Sequence, residues 1–233
     1  MKAVAKKTTP KQVSAKRKTP LALVTGFDAF GGERRNPSQE IAAAFDATII
    51  AGHRILGATL PTEFARALPA LDALLAHHQP VLVLALGLAG GRSEIALERV
   101  ALNLIDARIA DNAGAQPVDL RIVEDAQNAY FSTLPVKAML ARLRKAGIPA
   151  TLSLSAGSFV CNQVFFGLAH ALATRYPHAR GGFVHVPSLP EQAARQPGTP
   201  SMALETMIEG VRLCLEVALT TRKDARYASG STH

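Results

Sequence analysis

Side chains able to do covalent chemistry are few in this chain. Only two cysteines occur in 233 residues, Cys161 and Cys214. Cys161 lies in Ser155-Ala156-Gly157-Ser158-Phe159-Val160-Cys161-Asn162, where a strand gives way to a helix and small residues permit a tight turn. The first turn of a helix carries the positive end of its dipole, which favours a thiolate, so this placement predicts a nucleophile with a lowered pKa. A free cysteine is otherwise a small buried hydrophobe. Cys214, in the helix interior Val211-Arg212-Leu213-Cys214-Leu215, is read that way.

A thiol nucleophile needs a base, and the base needs a group that fixes its tautomer. His185, in Gly182-Phe183-Val184-His185-Val186-Pro187, falls near the carboxyl end of a predicted strand. Ligand sites in open α/β sheets form outside those ends. From there a histidine can reach a group on a neighbouring strand-to-helix turn; the alternative is a core histidine bonded to backbone. Glu98 stands among apolar residues in Ile95-Ala96-Leu97-Glu98-Arg99-Val100-Ala101. A buried carboxylate requires a partner: either Arg99 beside it or His185. Spacing alone leaves both open.

Other chemistries find less support. Gly26-Phe27-Asp28-Ala29-Phe30-Gly31-Gly32 follows a strand but lacks the Gly-Lys-Ser/Thr ending of a nucleotide phosphate loop, although its backbone N–H groups can form a nest for an oxygen-rich ligand. Paired cysteine motifs and His-Glu-x-x-His are absent, so no metal is expected. The formal net charge of +8 is concentrated in Lys2, Lys6, Lys7, Lys11, Lys16, Arg17 and Lys18, which leaves about +1 for the rest. Residues 1–20 are therefore expected to be a basic, disordered tail, with no nucleic-acid partner indicated downstream. Neither a membrane span nor an apolar signal stretch is visible, and two unpaired cysteines suit a reducing compartment, so the expectation is a cytoplasmic protein.

The elements that must position these residues can be read from apolar runs and caps. Leu21–Thr25, Val81–Leu86, Ala150–Leu154 and Gly182–Val186 predict strands. Helices are predicted from Asn36-Pro37 (N-cap, then proline at the first helical position), over Glu63–His77 with Pro69 as a kink or stop, and over Leu134–Ala146, Val160–Arg175 and Ser201–Thr221. Ala110–Asn128 predicts a long loop, and residues 222–233 a polar, frayed tail. Strands alternating with helices predict one α/β domain over residues 21–221, with a mostly parallel sheet covered on both faces.

Several segments then coincide, in order, with one family. The chain resembles pyroglutamyl peptidase I through Val24-Thr25-Gly26-Phe27-Asp28-Ala29-Phe30-Gly31-Gly32 with Asn36-Pro37-Ser38, Gly87-Leu88-Ala89-Gly90-Gly91-Arg92, and Glu98-Arg99-Val100-Ala101-Leu102-Asn103. The likeness continues through Asp106–Asn112, Ala129–Pro135, the Cys161 segment and His185–Gln192. It implies a three-layer α/β/α fold, a Cys161–His185–Glu98 triad, Arg108 near the catalytic centre, no cofactor and a homo-oligomer (dimer or tetramer). It also implies a substrate pocket of Phe27, Phe30, Asn36, Thr62, Ile109, Phe159 and Val160 for peptides beginning with pyroglutamate. Leu88, Ala96, Ala110 and Ser188 depart from the family's usual Gln, Ser or Thr, Pro and Tyr. Two rival functions are a phosphorylase-like transferase using the Gly26–Gly32 turn and a non-catalytic binding protein on the same fold.

Overall fold

A computed structural model describes residues 19–230. The expected basic tail lies outside the described residues except for Thr19 and Pro20. In chain order the elements are β1 (Leu21–Phe27), α1 (Pro37–Phe45), β2 (Ile49–Ile50), β3 (His53–Leu60), α2 (Phe64–His78), β4 (Leu82–Leu88), β5 (Ile95–Glu98) and β6 (Val100–Leu102). They continue with β7 (Ala129–Phe131), α3 (Val136–Lys145), β8 (Ala150–Ser153), α4 (Val160–Thr174), β9 (Arg180–Val186), α5 (Pro190–Ala193) and α6 (Leu204–Thr220). Every helix and strand expected from the pattern is present within a few residues. The stretch from Ala110 to Asn128 holds none of these elements.

Seven strands form the main sheet in the order β2-β3-β1-β4-β9-β5-β8, and β6 pairs with β7 separately. β3, β1, β4 and β9 run parallel. β5 runs antiparallel to β9 and parallel to β8, so the sheet reverses direction at the β9–β5 seam. Side chains alternate across the sheet. Leu82, Leu84 and Leu86 point into a core shared with Ile41 of α1, Met139 of α3 and Val211 of α6. Val83, Ala85 and Phe183 point the other way, into a core shared with Leu71 of α2 and Val164 of α4. The result is the expected three-layer α/β/α arrangement around a mostly parallel sheet. Cys214 is fully buried in the first core, as its helix-interior setting predicts.

Local sequence signals account for the element ends nearest the site. Asn36 caps α1, its Oδ1 accepting from the Ser38 amide at 3.1 Å, and Pro37 occupies the first turn. β1 continues through Gly26 rather than stopping there, because a Cβ at that position would lie 2.0 Å from the Ser38 carbonyl oxygen. Only glycine lets β1 pass so close under the start of α1. Pro69 does not end α2, which runs on to His78; it forgoes the N–H that would bond the Ala65 carbonyl.

One expectation fails at the carboxyl end. Residues 222–230 do not fray but fold back over α3, whose own N-cap, Pro135, supplies no side-chain bond. Asp224 takes the missing role from a distance, accepting from the Lys137 amide at 3.2 Å and the Ala138 amide at 2.9 Å. Tyr227 donates its hydroxyl to the Lys137 carbonyl at 2.8 Å. A carboxylate at a helix N-terminus satisfies free amides and complements the dipole. Asp224→Ala is therefore expected to destabilise the fold by about 1 kcal/mol and lower Tm by roughly 2–4 °C, with catalysis unaffected. An unchanged melting curve would show that Asp224 contributes nothing to α3.

Candidate active site

The sheet and the helix layer together bring three predicted residues to one place. In the β4–β9 register Gly87 stands opposite His185, and in the β9–β5 register Ala96 stands opposite His185 and Glu98 opposite Phe183. Glu98 is thus the diagonal neighbour of His185 on the face covered by α2 and α4, within reach of a long side chain. The imidazole Nδ1 lies 2.8 Å from Glu98 Oε1. Cys161 reaches the same place from the helix layer. A Cβ added to Gly87 would fall 2.8 Å from Cys161 Sγ and 2.8 Å from the Phe183 ring. The absence of a side chain on Gly87 is what lets the sulfur approach β4 beside His185.

Cys161 does not arrive from a strand adjacent to β9, as a simple strand-to-helix turn implies. β5 lies between β8 and β9, and residues 154–159 carry the chain from β8 to α4. Two side chains fix the landing point. Asn162 donates to the Leu102 and Leu104 carbonyls, both at 2.9 Å, and accepts from the Leu102 amide at 3.0 Å. Gln163 donates to the Phe64 carbonyl at 3.0 Å. The residues immediately after the thiol therefore tie α4 to β6 and to the start of α2.

The electrostatics differ from the sequence expectation. Glu98 is 0 % exposed and His185 only 4 %, so their bond is made away from water. Arg99, the neighbouring cation, makes no ion pair with Glu98 among the described residues; Arg92 does, at 3.2 Å. The helix start at Cys161 predicts a lowered thiol pKa. Instead burial, reinforced by the negative charge of Glu98, pushes it up to about 12, against a smaller lowering from its own backbone N–H. Desolvation outweighs the helix terminus. Burial pushes Cys214 up to about 12 as well, so surroundings, not thiol acidity, separate the two cysteines: Cys161 keeps partial access to solvent and Cys214 has none.

The aromatic residues expected at the pocket divide into two groups. Phe30 and Phe159 are partly exposed, with ring centroids 6.3 Å apart, and Phe159 meets Phe64 edge-on at 5.1 Å. Phe27 is buried and packs towards Phe183 at 6.5 Å; Val160 is wholly buried. Ile109 is 40 % exposed. Arg108 is exposed on the same loop, which is anchored two residues earlier by Asp106 N–H to the Ser158 carbonyl (3.0 Å) and Ser158 Oγ to the Asp106 carbonyl (2.7 Å).

Thr62 and Asn36 turn out to be braces. Both are buried and donate to the Asp28 carbonyl, at 3.1 and 2.8 Å. With its Oδ1 accepting from Ser38 and its Nδ2 donating to Asp28, Asn36 braces the turn. Three braces had no sequence signature. Asp28 Oδ1 accepts from the Thr62 amide at 2.7 Å. Asp111 accepts from the Phe64, Ala113 and Ala115 amides, and Asn112 donates to the Ala29 carbonyl at 2.9 Å. Together they lock the 105–115 loop and the start of α2 onto the Gly26–Gly32 turn. A polar residue bracketed by glycines or closing a loop is the only hint the sequence offers for them.

Comparison with known proteins shows the family to which the chain belongs. Residues 21–221 match the family described as pyroglutamyl peptidase, Peptidase_C15. The chain is 53 % identical over 214 residues to pyrrolidone-carboxylate peptidase 1 of Ralstonia nicotianae, covering 92 % of this chain and 100 % of the relative. It is 47 % identical over 211 residues to pyrrolidone-carboxylate peptidase of Bacillus cytotoxicus, covering 91 % and 98 %. Among solved structures, pyroglutamyl peptidase I of Bacillus amyloliquefaciens superposes with a TM-score of 0.86 at 39 % identity, covering 88 % of this chain and 100 % of that one. Pyrrolidone carboxyl peptidase of Thermococcus litoralis gives 0.86 at 41 % identity, covering 90 % and 99 %. With the family match over residues 21–221, the shared fold and likeness along nearly the whole domain, this chain belongs to the pyroglutamyl peptidase family.

Proposed function

We propose that Cys161, His185 and Glu98 form the catalytic triad of a cysteine peptidase that removes an N-terminal pyroglutamyl residue from peptides. The observation that carries this assignment is the buried 2.8 Å contact between His185 Nδ1 and Glu98 Oε1, on the sheet face where Gly87 admits the Cys161 sulfur. With Nδ1 turned to the carboxylate, Nε2 is the nitrogen left for the thiol. Burial and the negative charge of Glu98 raise the thiol and so favour its neutral form, which a base must deprotonate for attack. General-base catalysis is the chemistry such a thiol needs.

The steps balance as acyl transfer. Cys161 Sγ attacks the carbonyl carbon that follows the pyroglutamyl ring while His185 Nε2 accepts the thiol proton. The carbonyl electron pair becomes an oxyanion, which the first-turn N–H of α4 at Cys161 and Arg108 are suited to stabilise. Collapse breaks the peptide C–N bond, and the imidazolium gives its proton to the leaving amine. Water, deprotonated by the same histidine, then hydrolyses the thioester and releases pyroglutamate. Glu98 holds the imidazole in place and stabilises the imidazolium.

Phe30, Phe64 and Phe159 around the Gly26–Gly32 turn suit a flat, uncharged lactam. An apolar slot with a few fixed polar groups is how small ligands are oriented. Prolyl substrates share the ring but bring a cationic amine, and glutamyl substrates bring two charges. Desolvating those charges without partners costs several kcal/mol.

Pyroglutamyl amides should be hydrolysed, prolyl amides poorly and glutamyl amides not at all. Comparison of kcat/KM across the three checks this, and equal rates on the prolyl and pyroglutamyl substrates would refute the apolar slot. Cys161→Ser is expected to lower kcat by about 10³-fold or more, whereas Cys214→Ser should keep most of the activity; parallel loss in both variants would remove Cys161 from the mechanism. In Gly87→Ala the added methyl has to displace the Cys161 sulfur or the Phe183 ring. A misplacement of that kind predicts a loss of about 10²-fold in kcat, measurable in a folded variant, and a wild-type rate there would place the reacting sulfur elsewhere.

A further inference from the structure

Glu98 has more company than a triad requires. Its Oε1 faces two donors, His185 Nδ1 at 2.8 Å and Arg92 NH1 at 3.2 Å. Its other oxygen, Oε2, is buried with no hydrogen-bond partner among the described residues. The side chains of Arg92 and Glu98 are 37 % and 0 % exposed. The guanidinium bonded to this acid therefore lies at the boundary with solvent, while the carboxylate lies inside.

The loop that carries Arg92 is placed by the same strands that build the site. It leaves β4 directly after Gly87 and Leu88, and the Ala89 amide donates to the Val186 carbonyl of β9 at 3.0 Å. Any shift of β4 against β9 thus moves both the gap at Gly87 and the base of the Arg92 loop. A carboxylate with no exposure is expensive to keep charged against one neutral imidazole alone. A guanidinium donating to the same oxygen supplies the missing compensation and limits rotation of the carboxylate.

We propose that Arg92 is a positioning residue for catalysis, holding the Glu98 carboxylate oriented so that Glu98 in turn fixes His185. The proposal rests on the triad assignment above and extends it to a residue that acts through the acid alone. Arg92 makes a single contact to Glu98 through NH1, not a bidentate fork. A lysine charge at the same site therefore retains much of its effect, unlike at forked sites.

A double-mutant cycle with steady-state kinetics on a pyroglutamyl amide tests this. Arg92→Gln should lower kcat about tenfold with KM little changed, and Arg92→Lys should restore most of the loss. In a Glu98→Gln background, Arg92→Gln should have no further effect, since the group it acts through is gone. Thermal melts of each variant establish that all are folded. A wild-type kcat in Arg92→Gln, or the same fold-loss in both backgrounds, overturns the proposal while leaving the triad intact. A wild-type rate in Glu98→Gln would overturn the triad itself, and the role of Arg92 with it.

Discussion

The contact between Glu98 and His185 constrains more of this fold than any other single interaction. A charged carboxylate and an imidazole cannot be buried unless they meet in good geometry, because each loses its hydration. They meet across the β5–β9 pair, whose register sets Glu98 diagonally from His185 rather than directly opposite it. The reversal at this seam departs from the parallel pattern of β3, β1, β4 and β9.

Around that pair the protein arranges closeness by omission and rigidity by small polar groups. Gly87 makes room for sulfur and Gly26 makes room for the start of α1, each where a methyl group would collide. Thr62, Asn36, Asp28, Asp111 and Asn112 then fasten three loops to one another through backbone atoms. Preorganisation of this kind lets a site act without rearranging during the reaction.

Much of this is legible in the residues themselves, and the reasons for the gaps are physical. Continuous apolar runs such as Val81–Leu86 announce buried strands, and Asn36-Pro37 announces a helix start, because these signals are local. β3 is silent because His53–Leu60 alternates poorly: only Ile55 and Leu60 are buried in it, and Gly57 interrupts it. The direction of β5 cannot be read, since a short apolar segment looks alike in either sense. Cys161, His185 and Glu98 stand out mainly through ordered likeness to a family, because spacing alone leaves each open. Of the two partners weighed for Glu98, Arg99 is adjacent in sequence, but strand alternation turns successive side chains to opposite faces, and His185 is the one that meets it. Arg92, the second partner, carries no local sign of that role. The thiol pKa is misjudged from sequence for a related reason: a helix terminus is visible there, and desolvation is not.

The position of β9 has a consequence for how the enzyme comes into being. It is the last strand in the chain, yet it sits inside the sheet, between β4 and β5. Its partners were synthesised roughly 100 residues earlier, so its pairing closes long loops and belongs to the slow, high-contact-order part of folding. Before β9 inserts, β1 and β4 form one fragment and β5 and β8 another, with no strand pairing between them. The histidine rides on the strand that joins them. A chain in which β9 has not yet paired therefore holds Glu98 and Cys161 without His185 beside them.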